Sequence, residues 1–146
     1  MPVTNASRQT NTSDRVPSEG RTNRPRAREA PAELRVLQEA EEFATWLLQR
    51  TARWPKSSRA TLTLRIEELA LSVLDDLVQA RYRRAGRADR LEAANLSLER
   101  TRYLFRIARN TQVCSARTQA QATKRIDGIG RMLHGWRSAL RSTGDA

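Results

Sequence analysis

The sequence predicts an all-α fold, an antiparallel up-down-up-down four-helix bundle, and three observations carry that reading. Apolar residues recur at helical spacing over four stretches between residues 31 and 142. Proline, glycine and short polar runs separate the stretches, and no apolar–polar alternation of strand length competes with them. The connections are so short that successive helices must pack antiparallel.

Each element has its own justification. The first helix, about 31–52, opens with Pro31 at a tolerated first-turn position and Glu33 near the N-terminal dipole. Its expected core residues are Leu37, Ala40, Phe43, Ala44, Leu47 and Leu48. Pro55 cannot continue that helix, and Ser57 or Ser58 offers a hydroxyl to the free N–H groups of the next. The second helix, about 58–84, buries Leu62, Ile66, Leu69, Val73 and Leu77 and ends where Gly86 suits a left-handed cap. Asp89 and Glu92 have capping-box spacing for a third helix over about 90–109, closed by Asn110. Its core face is Leu91, Ala94, Leu98, Thr101, Phe105 and Ala108. A fourth helix, about 115–141, buries Ala122, Ile126, Ile129, Leu133, Trp136 and Leu140.

Residues 31–142 are expected to form the bundle, between a tail over 1–30 and a short one over 143–146. Val3 and Val16 are the large aliphatics of residues 1–30, too little apolar surface to offset ordering entropy, so disorder is expected there. The chain shows neither an apolar signal core nor a membrane-length apolar run, and Cys114 is its lone cysteine. A cytoplasmic location is the default expectation.

The formal net charge is +11, and every basic residue except Lys56 and Lys124 is arginine, which forks onto phosphates. Residues 31–50 are net −2 while residues 51–146 are net +10. The excess therefore belongs to the folded part, and a nucleic-acid partner is expected. On the third helix Arg102, Arg106 and Arg109 align along one ridge by their spacing, where a phosphate backbone could run. Arg81, Arg83, Arg84, Arg87 and Arg90 surround the preceding turn. Lys124 and Arg131 flank Gly128, and Gly128 and Gly135 are seven apart on one helix face. Helical glycines each cost on the order of 1 kcal/mol relative to alanine, and close helix packing is the expected compensation.

The middle helices have more apolar surface than one core requires. Leu64, Leu71, Leu74, Val78 and Tyr82 form a second stripe on one, and Leu96, Tyr103, Leu104 and Ile107 a second stripe on the other. Such stripes call for another partner, and self-association is the simplest.

Catalytic chemistry finds no foothold in the sequence. One histidine, one cysteine and no Glu-x-x-His motif argue against a di-metal or zinc centre. The neighbours Glu67 and Glu68, like Asp75 and Asp76, diverge by about 100° on a helix and cannot act as a dyad. His134 is expected on the surface and Cys114 in a loop; no cofactor, metal or enzymatic activity is expected.

The segment Trp54-Pro55-Lys56-Ser57-Ser58-Arg59-Ala60-Thr61-Leu62 resembles the aromatic-Pro-Lys-Ser-x-Arg-x-Thr-Leu signature of accessory variability determinant (Avd) proteins, within a wider group of bacterial four-helix-bundle and rRNA intervening-sequence proteins. Trp46-Leu47-Leu48, Ala80-Arg81-Tyr82, Ile129-Gly130-Arg131-Met132-Leu133 and Gly135-Trp136 extend the resemblance over roughly residues 34–140. It implies a homopentameric barrel and an accessory role in a diversity-generating retroelement. The implied partners are that element's reverse transcriptase and its template RNA, in support of mutagenic cDNA synthesis. On that reading the acidic first helix, through Glu39 and Glu42, is the natural face for a basic polymerase patch. The alternatives are an rRNA intervening-sequence-type bundle protein and a scaffold whose arginine surfaces meet an acidic protein.

Overall fold

The computed structural model describes residues 2–3 and 31–144, which hold four α-helices and, among the described residues, no strand. The helices are α1 (Ala32–Thr51), α2 (Leu64–Tyr82), α3 (Arg87–Asn110) and α4 (Ala116–Thr143). Apart from Pro2 and Val3, the tail expected over residues 1–30 lies outside the described residues. Residues 145 and 146, in the expected C-terminal tail, lie outside them too.

Antiparallel pairing is recorded by side-chain contacts between α3 and α4. Glu92 meets Arg137, Arg102 meets Asp127 at 2.8 Å, and Arg109 donates to Gln119 at 3.2 Å. Each step forward along α3 is thus matched by a step back along α4. Arg90 with Asp76 at 3.2 Å joins the start of α3 to the second half of α2, and the Thr51 hydroxyl donating to Glu67 at 2.5 Å ties the end of α1 to the start of α2.

One apolar core runs the length of the bundle, and every core residue expected on α3 and α4 is buried. On α1 the inward position is Val36 rather than Leu37, and Leu48 is 40 % exposed. On α2, Ala70 and Ala80 join Ile66, Val73 and Leu77 in the core, whereas Leu62 and Leu69 are only half-buried. The reason lies at the start of α2, where residues 59–63 form a π-helical turn. The extra residue in such a turn shifts the phase, so Thr63 is buried and Leu62 is carried to the flank. Alanines are the smallest apolar residues, and the larger leucines drew the expected stripe away from them.

Several boundaries differ from those read in the sequence. The Ser58 hydroxyl donates to the Pro55 carbonyl at 2.8 Å and pairs with the Thr63 hydroxyl at 3.0 Å, closing the turn internally instead of capping α2. Asp89 and Glu92 form no capping box: α3 already begins at Arg87, preceded by Gly86 in the left-handed region at φ 74°, while the C-cap of α2 is the extended Arg83. Pro31 is the residue before α1, its carbonyl accepting from the Leu34 and Arg35 amides. Asn110 is the last residue of α3, and the chain reverses at Gln112, whose φ is 63°. Ser115 then caps α4, its hydroxyl oxygen accepting from the Thr118 amide at 3.1 Å.

The expected packing against the α4 glycines is absent. A Cβ built on Gly128, Gly130 or Gly135 meets no atom within 4 Å outside its own helical surroundings. Their cost is therefore not offset within the described chain.

Candidate nucleic-acid interface

The α3 ridge exists, but its three guanidiniums differ in what they already hold. Arg102 bridges Glu99 at 3.4 Å and Asp127 at 2.8 Å. Burial would lower its pKa, yet hydrogen bonds to both carboxylates and their charges outweigh that effect and leave it raised. Its charge is thus spoken for within the bundle. Arg106 is exposed and lies over the Tyr103 ring at 5.3 Å, while exposed Arg109 donates, among the described residues, to the neutral Gln119. These two retain the charge a phosphate would meet.

Around the α2–α3 turn the expected cluster is partly committed to the fold. Arg87 folds back, its Nε donating to the Ala80 carbonyl at 2.6 Å and a terminal nitrogen to that of Arg81 at 3.3 Å. It thereby satisfies carbonyls that the end of α2 leaves without helical partners. Arg90 pairs with Asp76, and Arg81 lies over the Tyr82 ring at 5.7 Å. Arg83 and Arg84 are exposed. A groove of about 300 Å³ here is lined by Arg83 and Arg90 but also by Asp89, so its field is mixed.

Lys124 and Arg131 do come together with Arg109, in a groove of about 410 Å³ between α3 and α4 that also contains Asp127. Its three cations therefore face one carboxylate, already held by Arg102.

The apolar stripes lie where expected. Leu64, Leu71, Val78, Tyr82, Leu96, Tyr103 and Ile107 are exposed, whereas Leu74 and Leu104 are half-buried against the core. Leu69, Tyr103 and Leu104 line an open groove of about 500 Å³ between α2 and α3, together with Arg65, Glu68 and Arg100. Glu39 and Glu42 are both exposed on α1.

Among the described residues no group of three or more His, Cys, Asp or Glu side chains could hold a metal ion, and no helix is long and apolar enough to cross a membrane. His134 is exposed. Cys114 is half-buried against the core, and burial pushes its thiol pKa up against the pull of Arg109. Trp54 is buried edge-on to Phe105 at 5.8 Å, and Trp46 stacks on Phe43 at 6.2 Å with the guanidiniums of Arg50 and Arg125 over its ring.

Exposed cations that the sequence reading passed over lie at the α1–α2 and α3–α4 connections: Arg53, Lys56, Arg59 and Arg117. The signal that could have found them is an absence. No Asp or Glu occurs between Glu42 and Glu67, or between Glu99 and Asp127.

Comparison with known proteins places this geometry in a family. No curated protein matches the sequence. A crystal structure of a protein with unknown function from the S23 ribosomal protein family of Bacteroides thetaiotaomicron shares the fold, with a TM-score of 0.68 at 14 % identity, covering 73 % of this chain and 98 % of that one. The family model described as bAvd-like matches residues 34–140, from the first turns of α1 to the last of α4. That span contains the entire bundle core, and the chain belongs to the bAvd-like family.

Proposed function

We propose that this protein is the non-catalytic accessory subunit of a diversity-generating retroelement, working in the cytoplasm as a homo-oligomeric, pentameric barrel. It binds the element's reverse transcriptase and template RNA and thereby supports mutagenic cDNA synthesis. The observation that carries this reading is the bAvd-like family match over residues 34–140; Avd-type proteins are accessory proteins. The net charge of +11, with Arg109, Lys124 and Arg131 around one groove and Arg106 exposed on α3, supports the RNA half of the role. Exposed Glu39 and Glu42 on the acidic α1 support a separate contact with a basic polymerase.

The test is a pull-down with the purified reverse transcriptase beside an RNA-binding assay. Arg106→Glu with Arg109→Glu is expected to weaken RNA binding at least tenfold and to leave polymerase capture intact. Glu39→Lys with Glu42→Lys is expected to do the reverse. All four side chains are exposed, so folding should survive both changes. Failure of the wild-type protein to capture the polymerase would reject the accessory role.

A further inference from the structure

We propose that the end of the bundle where the α1–α2 and α3–α4 connections meet is the principal phosphate-backbone contact for single-stranded nucleic acid. It is borne by Arg53, Lys56, Arg59 and Arg117 together with Arg106 and Arg109. This rests on the reading that the protein binds RNA, and says where.

The two connections share one end. Trp54, between α1 and α2, lies edge-on to Phe105 in the last turns of α3, and Val113 and Cys114, between α3 and α4, pack on the same core. All six cations are exposed. The side chains of Arg53, Lys56, Arg59 and Arg117 make no hydrogen bond or ion pair among the described residues.

The local sequence is poor in acid, which sets this end apart. From residue 43 to 66 the chain has five basic residues and no carboxylate, and from 100 to 126 seven and none. These two stretches form the connections and the helical turns that adjoin them. At the opposite end, Arg90 is paired with Asp76, Arg137 with Glu92, and Arg87 is committed to carbonyls. A polyanion approaching there meets acids beside paired arginines. At the connection end Arg53, Lys56, Arg59 and Arg117 are exposed and without ion pairs among the described residues, while Glu67 is bonded to Thr51, Asp127 to Arg102, and Glu68 lies beside Ala60 and Thr61, so cations predominate there. Because exposed charges within about 10 Å reinforce one another at ordinary salt, unopposed cations raise the local potential more than the same number interleaved with carboxylates.

An extended phosphate backbone fits this patch better than an acidic protein does. Arg53, Lys56, Arg59 and Arg117 are long, without ion pairs among the described residues and spread over two connections, whereas the exposed apolar side chains Leu64, Tyr103 and Ile107 belong to the α2 and α3 stripes. Counterion release from phosphates needs only cations within reach.

The test measures fluorescence anisotropy of a labelled single-stranded RNA with the full-length protein at several salt concentrations. One variant carries Arg53→Gln, Lys56→Gln, Arg59→Gln and Arg117→Gln; a control carries Arg81→Gln, Arg83→Gln and Arg141→Gln. The first should weaken binding at least thirtyfold and flatten the plot of log K against log salt by about 0.7 for each phosphate that is no longer neutralised. The control should change affinity less than threefold. A DNA strand of the same sequence should bind within a few-fold of the RNA, since phosphates are common to both, and a strong RNA preference would overturn the backbone mechanism. Unchanged binding by the first variant, or equal weakening in both, overturns the assignment while leaving RNA binding standing. If the wild type binds neither strand, the RNA-binding reading falls and this assignment with it. If the first variant keeps RNA binding but loses the reverse transcriptase, the patch is a protein-docking surface and the proposal is wrong. Circular dichroism melts of both variants confirm that each is folded.

Discussion

Phe105 and Trp136 show how differently two buried aromatics can serve one core. Phe105 is 1 % exposed and receives the edge of Trp54, while Trp46 tilts toward it at a centroid distance of 6.3 Å. Phe105→Ala removes the ring on which both indoles rest and should cost about 3–5 kcal/mol. Trp136 is 3 % exposed, yet its indole Nε1 is buried without a hydrogen-bond partner among the described residues. An orphaned buried donor costs about 1–3 kcal/mol, which Trp136→Phe would relieve while giving up some packing volume. That variant should stay within about 1 kcal/mol of the wild type. Urea denaturation of the two variants checks the contrast, and a Trp136→Phe destabilisation as large as that of Phe105→Ala would mean that the indole nitrogen is satisfied after all.

The helices differ in how far the sequence revealed them. The core faces of α3 and α4 follow from spacing alone, because each is one uninterrupted helix whose phase, once set, holds from end to end. The start of α2 was not legible: the π turn over residues 59–63 depends on Ser58 closing onto Pro55 and Thr63, a local bonding choice that apolar periodicity does not encode. The capping box at Asp89 failed for a related reason. Gly86 in the left-handed region turns the chain early enough for Arg87 to begin α3 and reach back to α2. In the candidate site the charges were legible, and so was the pairing of Arg102 with Glu99 one turn back on the same helix, but pairings between helices were not, since Asp127 reaches Arg102 only through the antiparallel register of α3 and α4. The α4 glycines lead to a prediction at this scale. With helical backbone and open space above them, Gly128→Ala and Gly135→Ala should each stabilise the bundle by about 1 kcal/mol. Thermal melting of the double variant tests this, and a lowered midpoint would show that the space over these residues is occupied.

For the whole molecule, the exposed stripes on α2 and α3 bear on assembly. Leu71 is 44 % exposed and Ile107 48 % exposed, so charge at either should cost little in the folded subunit. Leu71→Glu should shift sedimentation from an oligomer toward a monomer with its helix content preserved; a wild-type protein that sediments as a monomer would remove the assembly from the proposal. A final consequence concerns light. Trp54 and Trp46 gather about Phe105 near one end of the bundle, whereas Trp136 sits toward the other, next in sequence to the Arg137 that meets Glu92. Intrinsic emission therefore comes from both ends at once. The Trp136 indole, buried and without an acceptor among the described residues, belongs at the blue edge of that spectrum, and Trp136→Phe leaves emission from the Phe105 end alone. Comparing the unfolding curve of that variant, by fluorescence, with its loss of helicity tells whether the bundle opens as one cooperative unit or first at the end where the α1–α2 and α3–α4 connections meet.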